Sequence, residues 1–135
     1  MASIGALIAL FGVLGGATAT AVTNPVTYQN ANVTTCAQIG FAGSTQYNGS
    51  VVTSVSVTAL FTATVTSDRY VTISAIAPGV VFQAAAIKGG DGYNVYNPLL
   101  TDMRSPLNGG GNVPALSHWF ACYTYTPIVT TTTAP

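Results

Sequence analysis

Ser117 and His118 carry the pairing most suggestive of chemistry: a hydroxyl beside the chain's one imidazole, with Asp91 and Asp102 as the carboxylates that a hydrolytic triad would need. Their spacing argues against that use. Neighbouring residues of an extended strand point to opposite faces, so Ser117 and His118 cannot meet as nucleophile and base. His118 is expected instead to order the stretch from Asn97 to Pro114 by hydrogen bonds, because a loop of about 18 residues needs internal partners. Lys88 precedes Gly89-Gly90-Asp91-Gly92, which has the composition of a phosphate cradle in the wrong order. A P-loop lysine follows its glycines and opens a helix. Lys88 is therefore expected to pair with Asp91 or Asp102, or to cap loop carbonyls. Asp91 and Asp102 make a poor calcium cage in a chain without a single Glu. Two cysteines and one histidine are too few for a zinc site. No catalytic residue, metal or cofactor is assigned, and the chain is read as non-enzymatic.

Other residues carry weaker signals. Cys36 and Cys122 stand at the two ends of the polar region. If paired in an oxidising compartment they would close a loop of about 87 residues, worth about 4 kcal/mol; two separate buried thiols are the alternative. Tyr93, Tyr96, Trp119, Phe120, Tyr123 and Tyr125 gather around the long loop, where packing is a commoner use of such rings than a sugar-stacking platform. Asn32-Val33-Thr34 and Asn48-Gly49-Ser50 match the N-glycosylation acceptor pattern. Asn32 and Asn48 are thus candidate glycan sites in a glycosylating host and turn asparagines otherwise.

The elements that must hold these residues are strands. Gly49 to Thr66 alternates polar and apolar residues with many β-branched side chains, the period of a half-buried strand. Ser67-Asp68-Arg69 supplies a turn, Tyr70 to Ile76 a returning strand, and Pro78-Gly79 a break. Val80 to Lys88, Tyr93 to Tyr96 and Leu116 to Tyr125 complete the series. Six to eight short strands of this kind predict an all-β domain, an antiparallel β-sandwich.

Ahead of that domain, Met1 to Ala21 carries no charged side chain. If helical, this arm reaches about 30 Å, close to the thickness of a hydrocarbon core. Ile4, Leu7, Ile8, Leu10, Phe11, Val13 and Leu14 are its apolar residues, and Gly5, Gly12, Gly15 and Gly16 permit close helix approach. A secretory signal lacks its basic start here, and a membrane anchor lacks a flanking cation. The expected organisation is a helical assembly arm over 1–21, with strand insertion as the alternative, an extended connector over 22–33, the β-sandwich over 34–126, and a Thr/Pro-rich tail over 127–135. Only 4% of the 135 residues are charged and the formal net charge is zero. Nucleic-acid binding is excluded by the lack of cations to neutralise phosphates, while self-association is favoured.

The second half, AAAIKGGDGYNVYNPLLTDMRSPLNGGGNVPALSHWFACY, resembles a β-rich module of secreted and cell-surface bacterial proteins. The matching pieces are Thr35-Cys36-Ala37, Ile87-Lys88-Gly89-Gly90, Asn94-Val95-Tyr96, Ser105-Pro106-Leu107-Asn108 and Leu116-Ser117-His118-Trp119-Phe120-Ala121-Cys122-Tyr123. The resemblance runs from about Thr34 to Tyr125. It implies an exported β-sandwich with a Cys36–Cys122 disulfide and brings no catalytic residues with it. The apolar N-terminus departs from the multidomain, wall-attached arrangement of that module and is similar to the arm of a pilin. The sequence therefore leads to a structural subunit of an extracellular, pilin-like filament, a homo-polymer joined through its arm, with glycans as optional partners and membrane contact confined to the stage before assembly. The rival expectation is a membrane-anchored or secreted surface adhesin that binds a carbohydrate.

Overall fold

A computed structural model describes residues 24–129. The strands are β1 (Val26–Gln29), β2 (Thr45–Asn48), β3 (Ser54–Val57), β4 (Thr62–Thr66), β5 (Tyr70–Ser74), β6 (Val80–Gly89), β7 (Gly92–Tyr96) and β8 (His118–Tyr125), with a 3-10 turn at Ala37–Ile39. They form two antiparallel sheets. One has the order β1-β7-β6-β8-β2 and the other β3-β4-β5. The all-β expectation holds at this level, and the stretch read as an extended connector supplies β1, which pairs with β7 from Val26↔Val95 to Gln29↔Gly92. Residues 1–23, and with them the assembly arm, lie outside the described residues, as does the tail beyond Val129.

Turn chemistry sets the registers. Gly90 and Asp91 alone connect β6 to β7, and Gly90 has φ +61°, a conformation open to glycine without strain. Ser67 and Asp68 both take φ 54° between β4 and β5, which small polar residues tolerate better than β-branched ones. Asp68 also fastens the start of β3. Its carboxylate accepts from the Thr53 hydroxyl at 2.7 Å and the Thr53 amide at 2.6 Å. These two bonds hold its carboxyl below the usual carboxylate range.

The polar–apolar run over 49–66 divides into β3 and β4, separated by a turn in which Thr58 Oγ1 accepts from the amides of Leu60 and Phe61. Its two halves face in opposite senses. Ala63 and Val65 of β4 point into the core, and register places Ser56 and Ser54 opposite them. The valines of β3 therefore point outward, with Val55 66% and Val57 77% exposed.

The facing sides of the two sheets share one hydrophobic cluster. Phe61 from the turn before β4, with Val65, Val71 and Ile73 from the smaller sheet, meets Phe82, Ile87 and Trp119 from the larger. Phe61 is its hub, with edge-on contacts to Tyr47, Phe82 and Tyr123 at centroid distances of 5.0, 5.0 and 5.6 Å. The Trp119 indole N–H donates to the Ser50 carbonyl at 2.7 Å, and a Cβ at Gly49 would run into the Trp119 ring. That position accepts glycine alone.

A second cluster lies on the outer face of the larger sheet. Ala84, Ala86, Tyr93, Val95, Phe120 and Cys122 are covered there by Val33, Cys36 and their neighbours. A bulge in β6 makes this possible: Phe82 pairs with Tyr123 and Ala84 with Cys122, so two steps on β6 match one on β8. The extra residue, Gln83, reverses the parity of everything after it. Phe82 faces the inter-sheet core, whereas Ala84 faces outward beneath the covering segment.

Cys36 and Cys122 form a disulfide with a Cα–Cα distance of 5.8 Å and a sequence separation of 86. It pins the covering segment onto β8. Replacing both cysteines by alanine is expected to lower unfolding free energy by about 2–5 kcal/mol, mainly through the freed unfolded chain, as read from a lower urea midpoint with a steeper slope.

Candidate functional site

The residues that sequence reasoning drew together are only partly gathered. His118 opens β8 directly opposite Lys88 of β6. Its Nε2 lies 2.7 Å from the Val33 carbonyl, which can only accept, so Nε2 is the donor of this contact. His118 therefore fastens the segment that covers the outer face, and the expectation that it orders residues 97–114 is corrected. The reason is register: pairing with Lys88 puts the start of β8 beside Val33. Lys88 Nζ donates to the Gly90 carbonyl at 2.7 Å, the carbonyl-capping role. Asp91 contributes its main-chain carbonyl, which accepts from Asn30 N at 2.8 Å. Lys88, Asp91, Ser117 and His118 border an open cleft of about 480 Å³ with Asn30 and Asn32. Asp102 lies elsewhere, its amide bonded to Thr72 Oγ1 on β5. Among the described residues no group of three or more His, Cys, Asp or Glu side chains gathers in a way that could hold a metal ion.

Other side chains order the long loop. Asn94, buried on β7, donates through Nδ2 to the Arg104 carbonyl at 2.9 Å and accepts from Thr27 Oγ1 at 2.6 Å. The Tyr96 hydroxyl donates to the Arg104 carbonyl and accepts from the Arg104 amide, both at 3.0 Å. Farther along, Asn108 Oδ1 accepts from the amides of Gly110 and Asn112. Met103 bridges to Val71, so the loop also closes the free edge of β5. Asn94 was legible as part of Asn94-Val95-Tyr96, but nothing in one sequence distinguishes a buried strand asparagine from an exposed one.

The aromatic residues around the loop are mostly core. Tyr96, Trp119 and Phe120 are buried, and Tyr123 packs against Phe61 and Phe82. Tyr125 at the end of β8 and Tyr28 on β1 stand open, each 44% exposed; Tyr28 is the one with a ring partner beside a groove. It stacks on its cross-strand partner Tyr93, with centroids 5.0 Å apart and planes 15° from parallel. The pair floors a groove of about 310 Å³ together with Val26 and Val95, and Gln38, Ile39 and Phe41 of the covering segment form its wall. Asn97 also lines it. No charged side chain lines it. Burial, then the neighbouring Tyr28 phenol, pushes the Tyr93 phenol above its ordinary range.

The two glycan candidates differ in setting. Asn32 is exposed in irregular chain, whereas Asn48 is exposed within β2 and its Oδ1 accepts from Gln46 Nε2 at 2.8 Å. No helix among the described residues is long and apolar enough to cross a membrane. Comparison with protein-family models, curated proteins and solved structures finds no match.

Two outcomes follow from these contacts. His118→Ala should raise amide hydrogen exchange in residues 30–36 and leave 97–114 unchanged, whereas Asn94→Ala should do the reverse; exchange mapped by mass spectrometry separates them. Tyr93 favours its neutral form when folded, so its contribution to stability is present below the unfolded phenol pKa of about 10 and is lost as pH rises through the higher folded value. Tyr93→Phe should therefore lessen the alkaline decline in stability and remove a late-titrating phenol from the ultraviolet absorbance titration.

Proposed function

We propose that this chain is a non-enzymatic, exported structural subunit that polymerises into an extracellular filament through residues 1–21. The supporting observations are that residues 1–21 carry no charged side chain and that, among the described residues, two hydrophobic clusters built from Val33 to Cys122 give the domain a core of its own. Packing the arm against the same segment of other copies would take it out of water, and the near absence of charge removes the repulsion that keeps soluble domains apart. The β-sandwich reading, the resemblance to bacterial surface modules and an extracellular location belong to the same proposal. A disulfide joining residues so far apart in sequence is compatible with an oxidising compartment.

Sedimentation and negative-stain electron microscopy test this reading. The full chain should pellet as filaments that mild detergent does not release, and a chain beginning at Val22 should remain monomeric with unchanged β-sheet circular dichroism. A full chain that stays monomeric in aqueous buffer, or that mild detergent disperses to monomers, would sink the filament reading.

A further inference from the structure

We infer that the groove beside Tyr28 is a binding subsite for a neutral sugar. Tyr28 is 44% exposed and stacked on buried Tyr93, so one ring face is backed by a partner and the other is left open. A ring held in this way gives up little freedom when the C–H face of a pyranose lies against it. Ile39, Phe41, Val26 and Val95 continue the apolar surface around the ring.

Polar groups stand where the hydroxyls of such a ligand would emerge. Gln38 Oε1 accepts from the amides of Thr34 at 2.7 Å and Thr35 at 3.0 Å, which fixes the side chain and leaves Nε2 as a donor. The main chain of Asn97 is clasped by Asn24, whose Nδ2 donates to the Asn97 carbonyl and whose Oδ1 accepts from the Asn97 amide. Asn97 lines the groove, and its side-chain amide supplies a donor and an acceptor by type. A groove with the fixed amide of Gln38, the amide of Asn97, one open aromatic face and no charge has nothing to compensate a phosphate, carboxylate or ammonium group. An apolar occupant, such as the Ile4–Leu14 stretch of this chain, would leave the Gln38 amide facing carbon. The size, about 310 Å³, is at the lower end for small-molecule sites and suits one end or one unit of a glycan. The site is independent of polymerisation, since a free domain and a subunit would carry it alike.

Isothermal titration of the full chain with maltohexaose, cellohexaose, xylohexaose and mannohexaose, each to about 10 mM, tests the inference in the weak range expected of a single platform. At least one should bind. Tyr28→Ala should weaken that binding at least tenfold, and Tyr28→Phe should keep it. Gln38→Glu retains the acceptor that holds Thr34 and Thr35 but removes the donor, and should weaken binding several-fold. Absence of binding by all four sugars overturns the inference, as does wild-type affinity in Tyr28→Ala. If that variant fails to fold, wild-type affinity in Gln38→Glu overturns it instead. Binding that appears only after residues 1–21 are removed would assign the groove to the arm and not to a sugar.

Discussion

The fold depends on burying the central pair β6 and β8 on both faces. A sheet that packs on one side alone alternates core and solvent residues, yet Ala84 to Ile87 and Trp119 to Cys122 are buried without interruption. The inter-sheet core covers one face. The other is closed by a short irregular segment, which packs Val33 and Cys36 over Ala84, Ala86, Phe120 and Cys122. Ala84 is the direct cross-strand partner of Cys122, and its methyl group leaves room for the disulfide. The bulge at Gln83 is part of the same solution. Without it Ala84 would share a face with Phe82, and the outward cluster would lose a member.

Neutral hydrogen-bonding groups do the positioning that charged residues do in most domains. Gln46 accepts from Cys36 N at 2.8 Å and donates to the Thr34 carbonyl at 2.7 Å, tying the covering segment to β2 beside the disulfide. Gln38 holds Thr34 and Thr35, Thr58 caps the β3–β4 turn, and Asn108 folds the glycine-rich tip of the long loop. Ser44 donates to the bulge residue Gln83, joining the end of the covering segment to β6. Each of these contacts costs little desolvation compared with an ion pair and needs no screening by salt. A surface built in this way is left almost without long-range repulsion, which makes close approach of copies inexpensive.

Strand type was legible where alternation and turn residues agreed, as in β4, β5 and the β6–β7 hairpin. The alternation of β3 was legible too, but its sense was not. Ser54 and Ser56 turn inward because Ala63 and Val65 dictate the register, and a cross-strand constraint is absent from the local pattern. β1 and β2 are four residues each, too short for a period to declare itself. At the candidate site the limitation is similar. Tyr28 and Tyr93 are 65 positions apart by number, and only the β1–β7 register makes them a stacked pair. His118 was recognisable as a hydrogen-bonding residue, but its partner Val33 is set by the path of the covering segment, 85 positions away.

That path also links the crosslink to the groove. Cys36 immediately precedes the turn at Ala37–Ile39, so the disulfide that secures Cys36 over β8 also places Gln38 and Ile39 at the groove's edge. The same short segment completes the outer core, carries the carbonyl that His118 holds, and walls the stacked tyrosines. A cavity at the margin of a covering segment arises because the cover is narrower than the sheet: it closes over β6 and β8 and stops short of the edge strand β1. The open ring of Tyr28 is thus a direct consequence of how the second core is closed, and rigidity at the groove is inherited from the covalent constraint that closes it.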